Sequence, residues 1–244
     1  MRISGDPVTE AKTFLVKVPL FAKLSEASLQ TIAKACKNIQ VEKGEFLFLQ
    51  DDPSDKVFLV RSGLISIILE SMDGRKLVIN EMRVGNLFGE VGLLTVHNRS
   101  SSAIARIDSD LLAIPRQALL KVLDEEPALV RSLLEMTANR LRESTERESA
   151  LAFLDAQGRL ARLLLVLGHQ ELEKGYITIS QEELAERTGQ TRQTVAKALG
   201  RWRRAGWLIT GRGRIMLLNH AALSHLELDE SILLSGITPE LSPI

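Results

Sequence analysis

The chain has 244 residues, enough for one large or two medium domains that each bury a core. Hydrophobic residues at 45% and charged residues at 25% exclude bulk disorder and fibrous or collagen-like architecture, and the single cysteine, Cys36, excludes a disulfide framework or a multi-cysteine metal site and suits a reducing cytoplasm. Its 31 Lys+Arg balance 31 Asp+Glu, and a net charge of zero excludes a uniformly basic binder of nucleic acid or membrane surfaces.

The first residues, Met1 to Asp6, lack the charged-then-apolar run of a signal peptide. The longest unbroken apolar stretch, Leu163 to Leu167, is far below a membrane span, so a soluble, cytoplasmic chain with no membrane partner is expected. Ser25 is placed to cap a short helix with Leu29, Ile32 and Ala33 on one face. From Phe46 to about Ile114 short apolar runs follow one another: Phe46–Leu49, Val57–Val60, Leu64–Leu69, Leu77–Ile79 and Leu111–Ile114. Turn residues separate them at Asp51-Asp52-Pro53-Ser54, Ser62-Gly63, Asp73-Gly74 and Gly85-Asn86. Asp-Gly between apolar runs favours a tight hairpin, because both residues tolerate positive φ. The zone reads as an antiparallel β barrel or sandwich.

Within it, Phe88-Gly89-Glu90 leads to Arg99-Ser100. A glycine-led turn that exposes amides, a carboxylate to accept from a ribose hydroxyl, and an arginine and serine to donate to phosphate oxygens could together cradle a nucleotide. A solvated Glu–Arg ion pair is the competing reading.

A long helix starts at Pro127 and meets no further Gly or Pro until Gly158. Val130, Leu134, Thr137, Leu141, Ser144, Glu148 and Leu151 alternate spacings of four and three, a heptad stripe that turns polar at Ser144. Either a solitary helix buries that stripe in its own domain, or two copies form a coiled coil; a span of about 45 Å favours the dimer. Asp155 to Gly158 reads as a hinge before an apolar helix carrying Leu160, Leu163, Leu164, Val166 and Leu167.

Residues 181–200 fit a helix-turn-helix position by position. Ser180 and Glu183 form a capping box, Ala185 is small at the crossing, Gly189 permits the turn, Thr191 caps the second helix and Val195 fills the shared core. Thr191, Arg192, Gln193, Thr194 and Lys197 then lie near the start of the second helix, with Arg192, Gln193 and Lys197 facing outward. Arg is suited to guanine and Gln to adenine in a major groove. Trp207–Thr210 and Ile215–Leu218 flank Gly211-Arg212-Gly213-Arg214, a hairpin with basic residues at its tip and hence a wing. Arg187 to Leu226 holds eight basic residues, among them Arg201, Arg212 and Arg214, and no acidic one. That leaves 23 basic against 31 acidic elsewhere, so the neutral total divides into +8 and −8. Such a one-sided segment suits phosphate contacts. Beyond it, the tail from 227 to 244 has helix-like pieces broken by Gly236 and Pro239.

Lys43-Gly44-Glu45, the Asp55–Gly63 run, the Phe-Gly-Glu cassette, Leu151–Asp155 at the end of the long helix, and the winged helix occur in one order. In that order and over residues 12–223 the chain resembles the cyclic AMP receptor and fumarate-nitrate regulator (Crp/Fnr) superfamily of bacterial transcription factors. The resemblance implies an α+β fold: a jelly-roll-like β-roll sensor (12–126), a dimerisation helix (127–155), a winged helix-turn-helix (156–226) and a tail (227–244). It also implies that Gly89 and Glu90 take the ribose and cyclic phosphate edge, Arg99 and Ser100 the phosphate, and Arg140, Ser144 and Thr145 the base. The hydroxyl pair has its order swapped relative to the cyclic AMP receptors. Asn98 and Ser101 also depart from common family residues, Gln193 stands where those receptors carry a base-reading glutamate, and Lys197 replaces an arginine. Cys36 alone cannot supply the cysteine cluster of the oxygen-sensing branch, and His97, His169, His220 and His225 suggest no haem or metal set.

The expectation is a homodimeric regulator that binds cyclic AMP, or cyclic GMP, as an allosteric effector and reads a pseudo-palindrome in double-stranded DNA, with RNA polymerase as a further partner. A regulator with another effector or none and a vestigial pocket is the alternative; a regulatory subunit acting on another protein is the alternative of a different class. An enzyme is not expected, because no nucleophile–base pair, metal-ligand spacing or Walker-type loop is present.

Overall fold

The structure, a computed structural model, describes residues 6–227; the tail beyond them, including Gly236 and Pro239, lies outside the described residues. Contacts divide the chain into two units. One holds the residues up to Glu70 together with Val78–Arg142; the other holds Ser71–Leu77 and the residues from Glu143 onward.

The first unit opens with two helices, α1 (Pro7–Lys17) and α2 (Glu26–Ala35). The side chain of Ser25 accepts from the Ser28 amide and caps α2, which buries Leu29, Ile32 and Ala33. The Glu126 carboxylate reinforces this cap from 101 residues away, accepting from the Ser25 amide at 3.1 Å and from the Ser28 hydroxyl at 2.7 Å. Those hydrogen bonds hold the Glu126 carboxyl below its ordinary range.

A sheet follows, formed by β1 (Lys37–Val41), β2 (Phe46–Phe48), β3 (Lys56–Glu70), β4 (Lys76–Met82), β5 (Leu87–Phe88) and β6 (Ser102–Pro115). Its main order is β1-β6-β3-β4, with β2 also on β6 and β5 on β3. The short helix α3 (Glu90–Thr95) interrupts the strands, and α4 (Arg116–Glu125) closes the unit before the long helix α5 (Pro127–Phe153). The pairings of β6 with β1, β2 and β3 are antiparallel.

The unbroken apolar runs at 57–60 and 111–114 have a direct cause. Side chains alternate along a strand. Val57, Leu59, Leu112 and Ile114 pack toward the helices with Leu15, Phe21 and Ile32, while Phe58, Val60, Leu111 and Ala113 fill the interior of the roll. Both faces are covered, so both sets must be apolar.

One turn expected from the sequence is not a turn. Val57–Val60 and Leu64–Leu69 belong to the single strand β3, which runs through Ser62-Gly63. The register against β6 shifts between Val60 and Ile65, and Gly63 adopts φ +97° where a Cβ would collide with Ser109. A bulge with close backbone approach needs glycine as much as a turn does, and the choice is made by β6, not by the local residues. The sheet also starts earlier than Phe46, at Lys37.

On α5, Leu129 and Leu133 face the core of the first unit, whereas the stripe residues Val130, Leu134, Leu141 and Leu151 are exposed, Leu134 and Leu141 by 64% and 68%. A single chain therefore does not bury the stripe. The hinge expected at Asp155–Gly158 is not where the helices break: the non-helical residues are Leu154 and Asp155, Asp155 caps α6 (Ala156–Gln170) by accepting from the Gly158 amide at 2.7 Å, and Gly158 is buried in its first turn.

The second unit continues with a 3-10 turn (Leu172–Lys174), β7 (Ile177–Thr178), α7 (Gln181–Thr188), α8 (Arg192–Arg204), β8 (Leu208–Gly211), β9 (Arg214–Leu217) and α9 (His220–Glu227). Its core joins Leu160 and Leu164 of α6 to Leu184, Ala185, Val195, Leu199, Trp202, Leu208 and Ile215. Leu208 pairs with Leu217 and Gly211 with Arg214 in an antiparallel hairpin, and β7 adds a third strand with Ile177 opposite Ile215. The tip is thus only Arg212-Gly213; Arg214, expected at the tip, lies in β9. Among the described residues no helix is long and apolar enough to cross a membrane.

Candidate effector site and nucleic-acid interface

The cassette turns on Gly89, which caps α3 at φ +82°. The backbone angle requires glycine, and a Cβ there would meet Arg99 Nη1 at 2.5 Å and displace that guanidinium. Glu90 begins α3 and is only 4% exposed; its Oε1 accepts from Arg140 Nη1 at 2.7 Å. Arg140, on α5, also donates through Nη2 to the Leu87 carbonyl and touches Met82 Sδ at 3.6 Å. The carboxylate is therefore held by a buried ion pair with an added hydrogen bond, the arrangement under which a desolvated charge is tolerable.

Arg99 is likewise 4% exposed. Its Nη1 donates to the Gly89 carbonyl at 2.9 Å and its Nη2 to the Lys56 carbonyl at 2.7 Å. The guanidinium lies 4.3 Å from the centroid of the Phe48 ring and 5.4 Å from that of Phe58. Nε is buried without an acceptor among the described residues. Burial pushes the Arg99 guanidinium below its ordinary value, opposed by the charges of Asp55, Asp52 and Glu90.

Gly89, Glu90, Arg99 and Arg140 thus come together. Ser100 is exposed beside them. Ser144 stands one turn after Arg140 on α5 and donates to Glu148 Oε1 at 3.4 Å, with Thr145 exposed next to it. Sequence reasoning missed Phe48, Phe58 and the Lys56 carbonyl as the seat of Arg99. Phe48 and Phe58 looked like strand residues, and nothing local marks a carbonyl 43 residues away as a partner.

In the second unit the helix-turn-helix is closed by local chemistry. Ser180 and Glu183 form the reciprocal capping box, Gly189 ends α7, and the Thr191 hydroxyl accepts from the Thr194 amide at 3.2 Å to cap α8. Val195, Ala198, Leu199 and Trp202 face inward, which leaves Thr191, Arg192, Gln193, Thr194 and Lys197 exposed on the other face. The Thr194 hydroxyl is within 2.9 Å of that of Thr191. Arg201 is exposed and donates to Gln157 Oε1 at 3.0 Å, while Arg212 is exposed at the wing tip. Arg159 of α6 donates to the Thr188 and Leu154 carbonyls and Gln190 donates to the Ala156 carbonyl, tying the helix-helix turn to the start of α6.

Comparisons with known proteins match this division. Residues 38–126 match the cyclic nucleotide-binding domain family, and residues 158–226 the Crp-like helix-turn-helix domain family. The chain is 30% identical to the cyclic AMP receptor protein of Thermus thermophilus over 208 residues, which cover 85% of this chain and 96% of that protein. It is 28% identical to the CRP-like cAMP-activated global transcriptional regulator of Mycobacterium tuberculosis over 200 residues, covering 80% and 89%. Among solved structures, FixK2 from Bradyrhizobium japonicum is similar at a TM-score of 0.67 and 26% identity, covering 80% of this chain and 98% of that one. The relative from Mycobacterium tuberculosis is by name a transcriptional regulator, and this chain is likewise a regulator rather than an enzyme; the Crp-like helix-turn-helix at residues 158–226 sets aside the reading of the chain as a regulatory subunit of another protein. With a cyclic nucleotide-binding domain joined to a DNA-binding helix-turn-helix, the chain belongs to the Crp/Fnr superfamily of transcription regulators.

Proposed function

We propose that the chain is a homodimeric transcription regulator whose binding to a pseudo-palindromic operator is controlled by a cyclic nucleotide, cyclic AMP before cyclic GMP, held by Gly89, Glu90, Arg99, Ser100, Arg140, Ser144 and Thr145. The observation that carries this reading is the buried Glu90–Arg140 pair beside Arg99. A buried carboxylate and a buried guanidinium, with Arg140 half-buried beside them, are costly to maintain in a fold that apolar residues could fill as well. Arg99 now donates to neutral carbonyls. Charge-assisted bonds to a phosphate are roughly twice as strong as such bonds, so an anionic ligand would compete for this guanidinium effectively. Glu90 would accept from a ribose hydroxyl, and Ser144 and Thr145 would offer hydroxyls to the base.

The names of the relatives from Thermus thermophilus and Mycobacterium tuberculosis both specify cyclic AMP, which supports the choice. The exposed stripe of Val130, Leu134 and Leu141 supports a coiled-coil dimer along α5. Ligand bound near Arg140 would bias that helix and, through Leu154 and Asp155, the recognition helices; these would stand about 34 Å apart, one turn of B-DNA. Thr191, Arg192, Gln193, Thr194 and Lys197 would read or position on the major groove, and Arg201, Arg212 and Arg214 would meet phosphates. RNA polymerase would be the partner of the DNA-bound dimer.

One observation favours a second reading. The Arg99 cation is stacked on Phe48 and its two Nη atoms are engaged, as a structural clamp would be. A regulator with another effector, or none, would keep Arg99 for that purpose alone. Selection of bound sequences from a random duplex pool separates the two. The first reading expects a two-fold symmetric sequence to be enriched with cyclic AMP and much less without it; equal enrichment in both conditions supports the second.

A further inference from the structure

The wing carries two arginines in different situations. Arg212 sits at the two-residue tip and is exposed. Arg214 lies in β9, and its Cζ is 4.7 Å from the centroid of the Tyr176 ring. Tyr176 is the only tyrosine of the chain and immediately precedes β7. Ile177 and Ile215 are opposite each other and buried, so the alternation of side chains puts Tyr176, Thr178, Arg214 and Met216 on the outer face. On that face Thr178 is directly opposite Arg214, and Tyr176 is its diagonal neighbour, a separation that an aromatic ring and a long side chain can span. The Ile179 amide donates to the Gly213 carbonyl at 3.1 Å, which ties the end of this strand to the wing turn. No carboxylate pairs with Arg214 among the described residues.

We infer that Tyr176 is a positioning residue for DNA binding, holding Arg214 extended along the wing for a backbone phosphate. This rests on the DNA-binding reading of the second unit. A guanidinium whose Cζ lies over a ring is held by the cation–π attraction without using up its N–H donors, which remain for a bidentate phosphate contact. The ring also removes rotamer freedom that the free arginine would otherwise lose on binding. An aromatic side chain at 176 therefore raises affinity without touching DNA, and it does so for any sequence, because a phosphate contact carries no base information.

The test uses the full chain and a labelled duplex of mixed sequence, followed by fluorescence anisotropy between about 50 and 200 mM salt. Arg214→Ala should lower the slope of log affinity against log salt by about one. Tyr176→Leu keeps the apolar bulk and loses the ring; it should weaken binding about two- to five-fold, while Tyr176→Phe retains wild-type affinity. In the Arg214→Ala background Tyr176→Leu should have no further effect. The inference is overturned by an equal loss from Tyr176→Leu in both backgrounds, by no loss from it in the wild type, or by an unchanged salt slope for Arg214→Ala. If duplex binding persists and Arg192→Ala weakens it while Tyr176→Leu does not, only this inference fails. If the wild-type chain shows no salt-dependent duplex binding, the DNA-binding reading fails with it.

Discussion

One charged cluster is buried in the cyclic nucleotide-binding domain, whereas a run of cations is displayed in the DNA reader. Glu90 and Arg99 are each 4% exposed and fully enclosed by Arg140, Phe48, Phe58 and backbone carbonyls, whereas Arg192, Lys197, Arg203, Arg204, Arg212 and Arg214 stand in solvent with no acidic residue in their segment. Buried charges are part of the fold and should affect stability when removed. Exposed cations contribute little to stability and act on a partner through long-range attraction and phosphate contacts. The +8 of this segment is offset by −8 over the rest of the chain, so net charge alone conceals a DNA-binding segment.

The largest test of this contrast is Arg140→Ala. It leaves Glu90 buried without its cation, and urea unfolding should show a loss of about 2–3 kcal/mol, below the full cost of a broken buried pair because Arg140 is itself partly exposed. A loss under 0.5 kcal/mol would place Glu90 with the surface charges and break the contrast. Arg192→Ala is the counterpart in the reader. Affinity for the selected operator should fall by about 1–3 kcal/mol with specificity relaxed at one base, while unfolding stability stays within about 0.5 kcal/mol of wild type. A footprint and affinity equal to wild type would remove Arg192 from the interface.

Ser180→Ala sharpens the comparison from the structural side of the reader. Loss of the capping box should cost about 1 kcal/mol in thermal unfolding, with no change in the salt slope of DNA binding. The smallest effect concerns the thiol. Burial pushes Cys36 up from 9.0 to about 12, so the folded chain holds its proton more tightly than the unfolded chain. The stabilisation from this group is complete below pH 9 and is lost as pH rises toward 12. Alkylation of the native protein at pH 8 should accordingly be slow and become fast on unfolding; rapid native alkylation would show an accessible, ionisable thiol.

Much of the reader was legible from sequence because its chemistry is local. Ser180 and Glu183, Gly189, Thr191 and Val195 each meet partners within a few residues, and each occupies the place its side chain suggests. The sheet was legible in part. The continuous runs at Val57–Val60 and Leu111–Ile114 mark strands buried on both faces, but Ser62-Gly63 as a bulge is decided by the register with β6, far along the chain. Asp73-Gly74 and Ser62-Gly63 carry similar local signals and have different outcomes for this reason. The structure brings Gly89, Glu90 and Arg99 together, but the contacts that hold them were not legible. Glu90 meets Arg140 across 50 residues and Arg99 meets the Lys56 carbonyl across 43. No periodicity encodes such meetings, and the same long range hides the Glu126 cap on α2.

Calorimetric titration of the wild-type chain and of Arg99→Ala with cyclic AMP, and separately with cyclic GMP, tests the central claim most directly. The wild type should show saturable cyclic AMP binding that is lost in Arg99→Ala while DNA binding in the absence of ligand is unchanged. No heat from either nucleotide with the wild type, or equal affinity in Arg99→Ala, would contradict it and leave Arg99 as a structural clamp beneath Phe48.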